Sequence, residues 1–127
     1  MPTNIKEFRC ARVSATEAGE GYQVLFEKAP DSDEGYVLVQ RHFEFPDGGK
    51  CYLETEDREF CGQFRIQSAQ LWRDRFQITF GKEPVSRIDV SFSATDSVYD
   101  KVQRVLRILI PGIAISRDGP PRDRLEE

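Results

Sequence analysis

Apolar and polar positions alternate cleanly in two segments of the chain, Arg75 to Phe80 and Arg87 to Ser93. Phe76, Ile78 and Phe80, for example, are separated from one another by single polar residues. A period of two is typical of a β-strand with one buried and one solvated face. Clusters of Gly, Pro and Asp divide the first three quarters of the chain into segments of strand length. The predicted strands are Ile5 to Ala15, Gly21 to Glu27, Tyr36 to Phe43, Lys50 to Glu56, Gln63 to Trp72, Arg75 to Phe80 and Arg87 to Ser93.

The connections between these strands are short. Short connections join antiparallel neighbours, because a parallel crossover needs about a dozen residues or more. The pattern therefore predicts a mainly antiparallel sheet of six or seven strands in meander order. The run Tyr36 to Val39 does not alternate, which predicts a central strand that is covered on both faces, at least over its first half.

The segment from Gln63 to Trp72 changes parity along its length. Phe64 and Ile66 place the even positions inward, whereas Ala69 and Leu71 place the odd positions inward. A strand cannot change parity without an extra residue. The sequence therefore predicts a β-bulge near Gln67 and Ser68, and without it Trp72 would face inward instead of Leu71.

The hydrophobic period changes after Ser93 from two to that of a helix. Thr95 to Ser97 offers N-cap residues, and Pro111-Gly112 ends the pattern. The prediction is an α+β fold with one amphipathic helix packed on the sheet, in a single domain over 1–113 followed by a flexible, charged tail over 114–127. The apolar face of the predicted helix comprises Val98, Val102, Val105, Leu106 and Leu109.

Composition narrows the class of protein. A chain of 127 residues suits one hydrophobic core, and its 39% apolar content is too high for a disordered chain. The 22 acidic and 18 basic residues give a net charge of −4 without a basic stripe, so we expect no nucleic-acid partner. We also expect no membrane span, and a cytoplasmic location because the N-terminus lacks a secretory signal.

Three cysteines and one histidine are the candidates for metal or nucleophilic chemistry. Cys10, Cys51, Cys61 and His42 lack the paired spacing of a structural zinc site. Arg41 next to His42 disfavours the imidazolium that a catalytic base must form. No nucleophile elbow or phosphate-binding loop is present in the sequence. We therefore predict no metal, no cofactor and no catalytic residues, so that the protein is not an enzyme.

The densest acidic group spans the end of the fourth predicted strand and the turn after it, and comprises Glu54, Glu56, Asp57 and Glu59. It has two readings that the sequence leaves open, a solvated face and a docking surface for a basic partner. Trp72 next to Arg73-Asp74-Arg75 could anchor such an interface or close one end of the core. The candidate partner-binding residues are Tyr52, Glu54, Glu56, Asp57, Glu59 and Trp72.

Three stretches carry a resemblance to a known family. They are Tyr36-Val37-Leu38-Val39-Gln40-Arg41, the run from Cys51-Tyr52-Leu53-Glu54 to Gly62, and Ala69 to Ile78 with its Leu71-Trp72-Arg73-Asp74-Arg75-Phe76 centre. In this order, with a terminal helix following, the chain resembles the immunity protein 10 family of bacterial polymorphic toxin systems over roughly 36–109. The resemblance implies a non-enzymatic cytoplasmic inhibitor whose partner is a cognate toxin.

Two other functions remain open at this point. A small-ligand-binding β-domain would enclose a cavity lined by Phe or Tyr between the sheet and the helix. A hydrolase or isomerase would use His42 or the pair Glu54 and Glu56. The sequence does not indicate an oligomeric state.

Overall fold

The computed structural model describes residues 4–18, 21–28, 35–42, 50–81 and 85–116. Within these ranges lie nine strands, one α-helix (α1, Asp96–Leu109) and a 3₁₀ turn at Arg58–Phe60. The strands are β1 Asn4–Arg9, β2 Arg12–Ala18, β3 Gly21–Glu27, β4 Tyr36–His42, β5 Lys50–Thr55, β6 Gly62–Trp72, β7 Arg75–Phe80, β8 Ser86–Ser91 and β9 Ala114–Ile115. No helix in these ranges is long and apolar enough to cross a membrane.

The α+β class with one helix is confirmed, but the sheet is larger and more mixed than predicted. Strands β2 to β8 form the antiparallel meander in chain order. Strand β1 adds to β8 and strand β9 adds to β6, and both of these pairings are parallel. The predicted count of six or seven strands is therefore wrong for two reasons. The first predicted strand splits in two, and β9 forms where a tail was expected.

The split in the first strand brings the two ends of the sheet together. The sheet order runs from β1 at one end to β2 at the other, yet only Cys10 and Ala11 separate these strands. The Cys10 N–H donates to the Ser91 carbonyl at 2.8 Å, while the Ala11 N–H donates to the Glu27 carbonyl at 2.7 Å. One continuous segment thus bonds to β8 and then to β3, so the sheet curls around an interior.

Aromatic side chains fill this interior. Phe26 from β3 stacks on Phe76 from β7 at 5.6 Å between ring centroids and contacts Phe92 at 5.7 Å. Phe80 contacts Phe64 at 4.7 Å on the same side of the sheet. Helix α1 packs on β2, β3 and β4 and adds its buried face to this core.

The predicted bulge is confirmed. The pairing of β6 with β7 shifts register between Ile66 and Ser68, so Gln67 is the extra residue. Beyond the bulge Ala69 and Leu71 lie in the core, and Leu71 is fully buried. Trp72 consequently faces the outer side of the sheet.

The helix begins and ends close to the predicted residues. The Thr95 hydroxyl accepts from the Val98 N–H at 3.3 Å as N-cap. At the other end, the Arg41 guanidinium donates to the Leu109 carbonyl at 3.2 Å. A cation at this position is also attracted by the partial negative charge at the C-terminus of the helix. After Pro111 and Gly112, β9 pairs with β6, so the ordered sheet continues past the predicted boundary at residue 113. The remainder of the predicted tail, 117–127, lies outside the described residues.

We expect Phe26→Ala to lower the free energy of unfolding by about 3–5 kcal/mol, because the side chain is fully buried and the site cannot collapse between two rings. Urea unfolding monitored by Trp72 fluorescence measures the change. Ile5→Ala is the control, since Ile5 is 48% exposed and its truncation should cost little. Equal losses in the two variants would contradict the described core.

Candidate functional site

The outer side of β3, β4 and β5 carries a row of large side chains. Leu25 pairs with Leu38 across β3 and β4, and Leu38 pairs with Glu54 across β4 and β5. Tyr36 and Tyr52 lie beside this row. All five side chains are partly exposed, because the strand positions between them point into the core. We call these residues, Leu25, Tyr36, Leu38, Tyr52 and Glu54, the tyrosine face.

No helix or strand within the described ranges packs across the tyrosine face. Helix α1 contacts the same strands from the inner side, where its apolar residues join the core. Strand β4 is central, as predicted from the run Tyr36 to Val39, but the prediction that it is covered on both faces is wrong. The apolar outward positions of β4 are instead left partly open to solvent.

Glu54 lies at the centre of a hydrogen-bonded group on this face. The Tyr36 hydroxyl donates to Glu54 Oε2 at 2.6 Å, and the Tyr52 hydroxyl donates to Glu54 Oε1 at 2.8 Å. These two bonds lower the pKa of the Glu54 carboxyl, that from Tyr36 more than that from Tyr52. The same bonds, together with burial, raise the pKa of both tyrosines. Glu54 is therefore ionised at neutral pH.

Two other carboxylates of the predicted acidic group belong to a different contact. Glu56 and Asp57 follow β5 and both accept from the Lys6 ammonium group, with Asp57 at 2.9 Å. Lys6 reaches them because it lies on the inner side of β1 with Phe8, opposite Ile88 of β8. Burial alone would lower the pKa of Lys6, but the bonds and charges of the two carboxylates outweigh it and raise that pKa.

Glu56 also helps to hold the start of β4. Its second oxygen accepts from the Tyr36 N–H at 3.1 Å. Burial would raise the pKa of Glu56, yet the bonds from Lys6 and the Tyr36 N–H lower it. Because Lys6 compensates both carboxylates, the acidic field predicted here is weaker than the sequence implies. The proposed role of Glu56 and Asp57 in binding a partner stays a prediction.

The two remaining candidates differ in position. Glu59 lies in the 3₁₀ turn, and its side chain is outside what the structure describes. Trp72 is on the outer side of β6 and 8% exposed, with the Arg75 guanidinium 5.8 Å from its ring centroid. This burial leaves little of Trp72 for a partner. The structure thus unites Tyr52 with Glu54, and Glu56 with Asp57, but places Trp72 on a different part of the sheet.

Sequence reasoning missed a buried charged group around Asp89. This carboxylate is 5% exposed and lies on the outer side of β8. It accepts from Gln77 at 2.8 Å and lies 3.2 Å from Arg87 and 3.6 Å from Arg75. The alternation of β7 and β8 placed these polar residues on one side, and pairing the two strands would have found the cluster. Because two arginines compensate Asp89, it serves to join β7 to β8.

The three cysteines considered for metal or thiol chemistry form no disulfide bond with one another. Cys10 and Cys51 are buried in the core. Cys61 is half-buried and donates to the carbonyls of Thr55 and Asp57. Among the described residues no group of three His, Cys, Asp or Glu side chains could hold a metal ion. The side chain of His42 lies outside the described set.

The sequence of the chain matches no protein-family model and no curated protein. The function is therefore inferred from the geometry described above and from the resemblance of its strand motifs.

Replacing Lys6 with Met should lower the free energy of unfolding at pH 7 by about 1 kcal/mol, because solvent still reaches Glu56 and Asp57. The lowered pKa of Glu56 gives stability that is present above the ordinary glutamate value of about 4.3 and lost as the pH falls through the folded-state value. Urea unfolding at pH 7 and pH 3 should show a smaller acid loss for Lys6→Met. Lys28→Met is the matched control, and an identical effect in both variants would contradict the role of Lys6.

The bonds to Glu54 should be visible in the tyrosine titration. Absorbance at 295 nm should contain a component from Tyr36 and Tyr52 that ionises above the ordinary tyrosine pKa of about 10. Their contribution to stability is present below that pH and is lost as the pH rises toward the raised values. In Glu54→Gln both should ionise at lower pH, because the accepting charge is gone. Glu7→Gln is the control, and a Glu54→Gln curve identical to wild type would rule out the described group.

Proposed function

We propose that the protein is a non-enzymatic protein-binding inhibitor, an immunity protein that neutralises a cognate bacterial toxin in the cytoplasm. The observation that carries the proposal is the tyrosine face, where Tyr36, Leu38 and Tyr52 are partly exposed on rigid central strands. Large rigid side chains at the centre of an interface supply most of the binding energy of a protein complex. The resemblance to the immunity protein 10 family gives the same class of function.

The packing of the interior favours this function over a small-ligand-binding domain. The space enclosed by the sheet is occupied by Phe26, Phe76, Phe80 and the apolar residues of α1, which are fully buried or nearly so. The clefts found among the described residues are partly open to solvent. One of about 460 Å³ is lined by Phe8 together with Glu7, Arg9, Arg75, Asp89 and Ser91, so it lies at β1, β7 and β8 and not between the sheet and the helix, where a ligand cavity is expected.

The state of the carboxylates also favours binding over catalysis. A general acid and base need one carboxyl with a raised pKa beside an ionised one. Glu54 and Glu56 both have lowered pKa values, because each accepts hydrogen bonds. Both therefore act as acceptors at neutral pH, which suits recognition of donors on a partner.

The proposal is tested by coexpression with the toxin encoded beside the gene, followed by measurement of growth and of the dissociation constant of the purified pair. We expect rescue of growth by the wild-type chain. Leu38→Glu should weaken binding by at least about tenfold, because it places a charge at the centre of the tyrosine face.

Thr79→Glu is the matched control, since Thr79 lies partly exposed on the outer side of β7 away from this face. Circular dichroism melting verifies that both variants fold. Absence of rescue and of binding by the wild-type chain would refute the inhibitor. Equal binding by Leu38→Glu and Thr79→Glu would refute the tyrosine face as its surface.

A further inference from the structure

Glu54 differs from the other carboxylates of its group in the kind of partner it has. Glu56 and Asp57 are paired with the Lys6 cation, whereas both partners of Glu54 are neutral hydroxyl groups. None of the ion pairs formed between described residues involves Glu54. No cation among the described residues therefore compensates its negative charge.

The two tyrosine bonds leave the carboxylate able to accept more donors. An ionised carboxyl group offers about four lone-pair sites, and each oxygen of Glu54 accepts one hydroxyl in the structure. Each oxygen therefore keeps acceptor capacity, which is the requirement of a guanidinium group that donates two parallel N–H bonds. The tyrosine hydroxyls prevent the carboxyl group from rotating away.

The pairing of β4 with β5 does not explain why two tyrosine hydroxyls bond to Glu54. Tyr52 and Glu54 lie on the same strand, two residues apart, so the bond between them ties no element to another. Strands β4 and β5 are already paired by backbone bonds from Val37 to Gln40. What the second tyrosine adds is a fixed orientation of the Glu54 carboxylate between two rings.

The surroundings suit a cation that is partly apolar. The hydroxyl groups of Tyr36 and Tyr52 each bond one oxygen of the Glu54 carboxylate, and Leu38 pairs with Glu54 across β4 and β5. A guanidinium gains from an aromatic face as well as from a carboxylate, and it is more weakly hydrated than an ammonium group. These features favour an arginine side chain over a lysine side chain.

We propose that Tyr36, Glu54 and Tyr52 form a receptor for an arginine side chain of the protein partner. The inference rests on the proposed function, because it names the group of that partner that enters the tyrosine face. Glu54 supplies the charge, and the two tyrosines position it and cover the guanidinium.

The receptor is tested without the partner, by titrating the full chain with acetyl-Leu-Arg-Leu-amide and following amide chemical shifts by NMR. The peptide with citrulline in place of arginine is the neutral control of the same shape, and a lysine peptide tests the preference for a guanidinium. We expect shifts on β4 and β5 with the arginine peptide, weaker binding of the lysine peptide and no binding of the citrulline peptide. Equal binding of all three peptides, or shifts on other strands only, would overturn the proposal.

Variants of Glu54 and Tyr52 test separately the charge of the carboxylate and its positioning. Glu54→Gln should weaken binding of the arginine peptide by at least about tenfold, since the charge-assisted hydrogen bonds lose the negative charge of their acceptor. Tyr52→Phe should weaken binding of this peptide less, because the charge of Glu54 remains and only the hydrogen bond from the Tyr52 hydroxyl is lost. Glu7→Gln, on β1, should bind like wild type. Unchanged affinity in Glu54→Gln, with a melting curve that shows a folded chain, would overturn the proposal.

The outcomes also separate this inference from the proposed function. If the arginine peptide binds as expected but the toxin encoded beside the gene is neither bound nor neutralised, the arginine receptor is supported and the inhibitor function is refuted. If the toxin binds the wild-type chain, binds Leu38→Glu more weakly and binds Glu54→Gln equally well, the inhibitor function is supported and the arginine receptor is refuted.

Discussion

The structure depends on the two-residue link between β1 and β2. At Cys10 the backbone bonds to β8, and at Ala11 it bonds to β3. These bonds force the ends of the meander to meet, and a curled sheet is what allows Phe26 of β3 to stack on Phe76 of β7. The same closure carries Lys6 to the segment after β5, and it leaves the outer side of β3, β4 and β5 as a convex surface of partly exposed side chains.

The tyrosine face combines two properties that oppose each other in most of the molecule. Most other apolar side chains in the described ranges are buried, and carboxylates such as Glu17, Asp57 and Asp89 are paired with cations. On this face leucine and tyrosine side chains are partly exposed around a carboxylate with neutral partners. A surface that keeps both an apolar contact area and a carboxylate that no described cation pairs with has binding energy available for a complementary protein.

Local patterns predicted the elements well, because they depend on neighbouring residues. The bounds of β3 and β7, the bulge at Gln67 and the Thr95 cap follow from periodicity and turn chemistry. A change of parity also separates Phe8 and Cys10 from Val13 and Ala15, and it marks the break between β1 and β2 that the prediction of one long strand overlooked. The parallel pairings and the contact of Lys6 with Glu56 join distant parts of the chain, and periodicity holds no information about such contacts.

The parallel pairing of β1 with β8 also bears on how the chain reaches its native state. Asn4 pairs with Ser86, so β1 finds its neighbour in the sheet only after the strands that lie between β1 and β8 in the sequence have been synthesised. Contacts of such large sequence separation incur loop-closure entropy before they contribute stability, and they slow folding. Until β8 emerges, the backbone groups of β1 that pair with β8 are exposed to other chains.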